Sequence, residues 1–144
     1  MAVEWNESMK TGVDSIDNQH KEMFLMVAKL KEAIDQQKNR SEIGRIVDAL
    51  ARYAMRHFAE EELWMEKQNC PSAEANKQAH DGFLGKFDLF RERYSDPGAK
   101  ITMVANFQDT LSRWLVKHVA DVEAELRECA AKSESLALAS SCQA

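Results

Sequence analysis

Residues 41–67 read SEIGRIVDALARYAMRHFAEEELWMEK, and this stretch decides the fold class. Apolar side chains recur in it at the spacing of a helix with one buried face. They are Ile43, Ile46, Val47, Leu50, Tyr53, Ala54 and Trp64. Pro71 ends the pattern, because proline is excluded from a helix interior but tolerated in a first turn. The stretch therefore predicts one long amphipathic helix.

Three further segments show the same spacing, at residues 15–37, 72–94 and 99–130. Long helices with short connections favour antiparallel neighbours, so we predict an all-α fold, an up-down-up-down four-helix bundle. The bundle domain covers residues 1–130 and begins with an irregular N-terminal arm at 1–13, whose Trp5 packs on the bundle. Residues 131–144 are predicted to fray or to begin a linker to an effector domain.

Length and charge limit the function classes. A chain of 144 residues makes one ordinary domain, and 5 Gly and 2 Pro are too few for many hairpins. The net charge of -5 lacks the basic surface that nucleic-acid binding requires. The apolar runs are too short to span a bilayer, and the polar residues 4–7 are unlike a secretory leader. We therefore expect a soluble cytoplasmic protein without nucleic-acid binding or membrane insertion.

The three cysteines are Cys70, Cys129 and Cys142, an odd number without CxxC spacing. This pattern suggests neither a disulfide framework nor a zinc site. We expect the cysteines to have no special role.

Each predicted helix carries one histidine on its apolar face: His20, His57, His80 and His118. A single core histidine is most often satisfied by a neighbouring polar group. Four of them in one core would each need a partner, since an unpaired buried polar group costs about 1 to 3 kcal/mol. One shared metal site satisfies all four, so the pattern predicts metal binding in the bundle core.

Glu61 belongs to the same predicted site. It follows His57 by four residues and therefore shares its inward face, whereas Glu60 points to solvent. A buried carboxylate requires neutralisation, and mixed histidine and carboxylate ligands favour iron, manganese or zinc over calcium or magnesium. The alternative is that residues 60–62 form a solvated acidic run.

Four motifs together resemble the hemerythrin family, particularly its bacterial domains. They are IDNQHK at 16–21, HFAEEE at 57–62, HDGF at 80–83 after Cys70-Pro71, and WLVKH at 114–118. In that family a four-helix bundle holds a pair of non-haem irons with histidines, a bridging Glu and Asp, and an oxo or hydroxo bridge. The resemblance implies that His20 and His57 bind the iron that takes up oxygen, that Glu61 bridges, and that His80 and His118 bind the second iron.

Two positions depart from the family pattern. Asn76 stands where the family usually has another histidine of the second iron, so it is a weak ligand or a vacated position. Glu123 stands where the family usually has the bridging aspartate, and we prefer it on the family spacing as the second bridge. Plain helical geometry instead places Asp121 closer to the face of His118, so Asp121 is the alternative.

The resemblance implies reversible oxygen binding, with Leu115 and Trp114 lining an apolar oxygen pocket. With Asn76 in place of a histidine, both irons would have an open coordination position. This arrangement suits a redox or oxygen sensor better than a carrier, and small anions should reach the second iron. Bacterial hemerythrin domains often accompany signalling partners such as diguanylate cyclases and chemotaxis receptors, so a covalently attached signalling domain is expected. The alternatives are a di-iron oxidase or peroxidase, a stand-alone oxygen carrier, and a metal-free structural bundle.

Overall fold

The computed structural model describes residues 3–142, except for the side chains of Glu123 and of residues 133–142. This part of the chain forms four α-helices and a short 3-10 helix, Glu7–Met9. The α-helices are α1 (Asp14–Asp35), α2 (Arg40–Lys67), α3 (Ala73–Tyr94) and α4 (Ile101–Cys142). The prediction of an all-α fold is confirmed.

The helix α4 continues through Cys142, beyond the predicted end at Ala130. Residues 131–142 contain no Gly or Pro and are rich in Ala, Leu and Ser, so intrinsic propensity sustains the helix where the apolar stripe stops. The apolar stripe therefore predicts the part of α4 that packs on the bundle, but it does not predict where the helix ends. The domain boundary at residue 130 stays a prediction.

The helices pack in a ring, in which α1 and α3 each contact both α2 and α4. The short connections make sequential helices antiparallel. The centre of the bundle contains fully buried side chains from all four helices: Met23, Leu30, Leu50, Phe58, Phe83, Phe87 and Leu111. Among the described residues, no helix is apolar over a length that would cross a membrane.

The N-terminal arm is fastened to the start of α1 by Asp17. This buried carboxylate accepts hydrogen bonds from the backbone N–H and the hydroxyl of Thr11, each 2.8 Å long, and from the N–H of Gly12. Trp5 packs against the core cluster as predicted, and Lys21 lies over its ring. The arm therefore covers the end of the bundle that contains His20.

The expectation for the cysteines is wrong, because Cys70 and Cys129 form a disulfide. Cys129 follows Val122 and Leu126 on the inward stripe of α4, and the connection between α2 and α3 folds over the same end of the bundle. The two Cα atoms are 5.9 Å apart, within the range that a disulfide requires. Their sequence separation of 59 residues gave no local motif, since only the packing of the helices brings them together.

Candidate metal centre

Six buried polar side chains from all four helices converge at one level of the bundle. They are His20 from α1, His57 and Glu61 from α2, Asn76 and His80 from α3, and His118 from α4. Glu61 and His80 are 0% exposed. Because neighbouring helices run in opposite directions, residues near the end of α2 meet residues near the starts of α1 and α3.

The Glu61 carboxylate lies at the centre of this group. Its Oε2 is 2.9 Å from Nε2 of His20 and 2.9 Å from Nε2 of His57. Its Oε1 is 3.2 Å from Nε2 of His80 and accepts a 2.7 Å hydrogen bond from the Asn76 amide. The two oxygens of one carboxylate therefore face two separate sets of nitrogens.

We call the side facing Oε2, with His20 and His57, the first half of the centre. The side facing Oε1, with Asn76, His80 and His118, is the second half. In each half, the nitrogens of the histidines and an oxygen of Glu61 lie within 4.8 Å of one another. Such a spacing suits a single ion with bonds of about 2.0 to 2.2 Å.

Outside the first half, a chain of hydrogen bonds fixes the orientation of His57. The Glu60 carboxylate can only accept a hydrogen bond, so the amide nitrogen of Gln19 must face it. The Gln19 carbonyl oxygen then faces Nδ1 of His57 at 2.6 Å. This contact places the ring proton of His57 on Nδ1 and leaves Nε2 unprotonated toward Glu61.

The second half is held by a carboxylate and by aromatic rings. Glu62 lies 3.2 Å from Nδ1 of His80, so this ring also carries its proton on the outer nitrogen. Phe58 stacks on His80 with ring centroids 3.8 Å apart, and Trp114 stacks on His118 at 4.3 Å. The Nε2 atoms of the two histidines come within 3.0 Å of each other.

Burial sets the charges in the centre. It lowers the pKa of His118 to about 3, with His80 acting in the same direction, and it lowers the pKa of His57. Burial also acts to raise the pKa of Glu61, but hydrogen bonds that the carboxylate accepts, first the one from His20, outweigh burial, and the pKa lies well below its ordinary value. At pH 7 Glu61 is therefore ionised, while His57 and His118 are neutral.

These protonation states fit a bound cation. The Nε2 atom of His57 is an acceptor, because the ring proton lies on Nδ1, and it faces an oxygen of Glu61 at 2.9 Å, so an acceptor faces an acceptor. A positive ion between them satisfies both. Outward hydrogen bonds from Nδ1, as made here by two histidines, are the usual support of metal-binding imidazoles.

Asn76 lies inside the second half and is 4% exposed. Its amide nitrogen donates to Glu61 and lies 3.0 Å from the sulfur of Met65. Its carbonyl oxygen is buried without a hydrogen-bond partner among the described residues. Rotating this amide by half a turn would present the oxygen to an ion beside Oε1 of Glu61.

The two candidates for a second carboxylate lie on α4. Asp121 is exposed and pairs with Lys117 at 3.4 Å, so it does not face the centre. Glu123 belongs to α4, but its side chain lies outside the described residues. Its role as the second carboxylate stays a prediction.

A family model, the hemerythrin HHE cation binding domain, matches residues 11–130 of this chain. The chain belongs to the hemerythrin family. It is 32% identical over 123 residues to a bacteriohemerythrin of Pseudomonas aeruginosa (strain LESB58), an alignment that covers 83% of this chain and 76% of the relative. This identification confirms the resemblance found in the sequence motifs, and it makes the chain a metal- and oxygen-binding domain of the hemerythrin type.

Two other hemerythrins extend the comparison. A bacteriohemerythrin of Methylococcus capsulatus (strain ATCC 33009 / NCIMB 11132 / Bath) is 35% identical over 116 residues, covering 78% of this chain and 84% of the relative. A crystal structure of wild-type hemerythrin superimposes with a TM-score of 0.80 at 31% identity, covering 90% of this chain and 98% of that one. The hemerythrin fold therefore extends over nearly the whole chain.

Sequence reasoning missed the residues that support the histidines from outside. Gln19, Glu60 and Glu62 were part of the motifs, but nothing in their spacing assigned them a contact with an imidazole. A signal existed for Gln19, because a side chain next to His20 on α1 reaches the neighbouring α2. The pairing of Glu62 with His80 depends on how α2 and α3 meet, which helical periodicity does not report.

Proposed function

We propose that this hemerythrin domain binds a pair of non-haem iron ions, one in each half of the centre. His20 and His57 would hold the first ion and His80 and His118 the second, with Glu61 bridging them through its two oxygens. Glu123 would supply the second bridging carboxylate, and an oxo or hydroxo group would complete the bridge. The contacts of Glu61 support a pair of ions. One oxygen of its carboxylate faces His20 and His57 and the other faces His80, at 2.9 to 3.2 Å.

Metal analysis tests the number of ions. Protein purified after iron-replete expression should contain about two irons per chain and show near-ultraviolet bands of a bridged diferric pair. Iron content near zero, or zinc alone, would contradict the proposal. A content of one would show that Glu61 serves a single ion and not a bridge.

The proposed activity is reversible oxygen binding in the bundle core. Iron held by these residues would supply the electrons that oxygen takes up. The chain supplies a dry pocket, because Leu115 is 1% exposed and Trp114 covers His118 by stacking. Excluding water from such a site limits side reactions and proton leakage.

We further propose that the domain senses oxygen or redox state for a covalently attached signalling domain in the cytoplasm, such as a diguanylate cyclase or a chemotaxis receptor. Asn76 supports this proposal, since an amide is a weaker ligand than imidazole and leaves the second iron open to oxygen and small anions. The continuous helix α4 gives a direct route from His118 to residues beyond the bundle. Stopped-flow mixing of the diferrous protein with air-saturated buffer should show rapid oxidation, whereas a long-lived oxygen adduct would favour a carrier.

The second candidate function is a di-iron oxidase or peroxidase, favoured by the same opening at Asn76. Such an enzyme would consume peroxide or oxygen over many cycles with an added reductant. Measurement of steady turnover separates it from a sensor, which should be oxidised once and stop.

A further inference from the structure

A groove between α3 and α4 has an apolar floor that is open to solvent. It has a volume of about 540 Å³ and runs along α3 from Lys86 to Arg93, facing the first turns of α4. The rings of Phe90 and Phe107 stack in it with centroids 4.2 Å apart, and Leu89 beside them is 47% exposed. Exposed apolar surface in a concave region of this size is typical of a ligand site.

Positive charge surrounds this apolar floor. Three of the lining residues are the cations Lys86, Arg93 and Lys100, and none of the described residues that line the groove is acidic. The three cations form no ion pair within the part of the chain that the structure describes. The chain as a whole has a net charge of -5, so the groove is a positively charged region of an acidic protein. It therefore favours an anionic ligand over a cationic one.

Acidic residues that are near the groove in sequence do not line it: Asp88, Glu92, Asp96 and Asp109. Asp88 and Asp109 pair with arginines of their own helices, at 3.6 and 2.5 Å. Asp96 accepts a 3.0 Å hydrogen bond from a backbone N–H of the connection. The last carbonyl of α3 already accepts a hydrogen bond from Arg40, so it does not require Arg93. The cations of the groove are therefore available to a ligand.

We propose that this groove binds a free amphiphilic anion, a carboxylate that carries a single alkyl chain. The carboxylate lies at the connection between the helices and is bound by Arg93 and Lys100. The alkyl chain covers Leu89 and Phe90 and ends near Lys86. The groove thereby supplies both a charged and an apolar contact to one molecule. The proposal does not depend on the metal centre or on its number of ions.

The length of the groove sets the length of the alkyl chain. Arg93 follows Lys86 by seven residues. This separation is about 10 Å along a helix that rises 1.5 Å per residue. An extended chain advances about 1.2 Å per bond, so about eight bonds cover the floor. Octanoate has that number of bonds between a carboxylate oxygen and its terminal carbon. A guanidinium such as that of Arg93 matches a carboxylate with two parallel hydrogen bonds, which favours the head group at this end.

Isothermal titration calorimetry of the iron-loaded full chain tests the class of ligand. Octanoate should bind once per chain with a dissociation constant of about 1 mM, as expected for a molecule of this size. The uncharged 1-octanol, which has the same chain, should bind about tenfold more weakly, because it lacks the charged hydrogen bonds. Acetate, which is the head group alone, should bind more weakly still. Equal binding of octanoate and 1-octanol, or no binding of octanoate at about 10 mM, would overturn the proposal. Binding to phosphatidylglycerol vesicles but not to octanoate would also overturn it, because the groove would then meet a membrane surface.

Matched substitutions test whether the ligand lies in the groove. Leu89→Ser should weaken octanoate binding about tenfold, because the alkyl chain loses part of its apolar floor. Arg93→Gln should weaken octanoate binding about fivefold and leave 1-octanol binding unchanged, because only the charged head group loses a partner. The controls make the same changes at exposed positions of α2 outside the groove, Leu63→Ser and Arg52→Gln. Circular dichroism confirms that each variant is folded. If a groove variant binds octanoate as tightly as its control, the ligand lies elsewhere and the proposal fails.

Discussion

The two halves of the metal centre share one carboxylate but are built differently. In the first half, His57 is oriented by a hydrogen-bond chain through Gln19 to Glu60, and the two histidines come from α1 and α2. In the second half, the rings of His80 and His118 are held by stacking on Phe58 and Trp114, and an amide occupies the remaining position. The comparison teaches that the two oxygens of one carboxylate can face two groups of side chains that are held in place by different contacts.

Removing the shared group should have the largest effect. Glu61→Ala should lower the iron content from about two per chain to nearly none, because both halves lose an anionic ligand. Helicity by far-ultraviolet circular dichroism should remain, since alanine favours helices. Glu66→Ala, an exposed change one turn later on α2, is the control. Normal iron loading of the Glu61 variant would mean that the buried Glu61 is not an iron ligand.

Removing one histidine should separate the halves. His57→Ala and His80→Ala should each retain about one iron per chain, bound in the intact half. Iron analysis together with optical loss of the bridged-pair bands measures this outcome. If either variant loses all its iron, the two halves bind iron cooperatively and are not independent sites.

Loss of the outer support should act mainly on the first half. Gln19→Leu keeps the approximate shape of the side chain but removes the acceptor for Nδ1 of His57. We expect a loss of about 10- to 100-fold in iron affinity, measured by competition with a chelator. Asn18→Ala, at the exposed neighbouring position, should leave the affinity unchanged. Equal affinities for both variants would show that Gln19 does not position the ring.

Restoring an imidazole should make the halves more alike. In Asn76→His, a stronger ligand at the second iron should slow air oxidation of the diferrous protein by about tenfold, an effect of the size seen for changes around metal ligands. Azide should also bind more weakly. The larger ring must fit beside the buried Met65, so the melting temperature is measured in parallel. If the rate of oxidation and the binding of azide are both unchanged, an oxygen carrier is favoured over a sensor.

Acid should destabilise the metal-free protein. The pKa of His118 is about 3 in the folded chain and 6.5 ordinarily, so between these values the unfolded chain binds a proton that the folded chain does not. Stability is therefore lost as the pH falls from 6.5 toward 3, by about 2 kcal/mol between pH 6.5 and 5. Urea unfolding at several pH values measures this slope, and His118→Gln should reduce it. A flat profile would contradict a neutral buried His118.

The sequence predicted the helices, and it predicted that four histidines and Glu61 face inward, because helical periodicity reports which side of a helix is buried. It did not predict the partners of these side chains. Whether Gln19 reaches His57, or Cys129 reaches Cys70, depends on how far one helix is shifted along its neighbour. That shift is set by connections and packing between helices, which no repeat within one helix records. The ligand assignments remain predictions that the experiments above test.

The disulfide also divides the ligands topologically. The bond joins residues 59 positions apart and closes a covalent ring that contains α3 and the first part of α4, with Asn76, His80 and His118 inside and the first half outside. Closing a ring of this size removes conformational entropy from the denatured ensemble, equivalent to about 4 kcal/mol in the chain-entropy model. In the oxidised chain, the histidines of the second half therefore stay confined near each other even when the bundle is unfolded. Those of the first half have no such tether and must find their partners by folding.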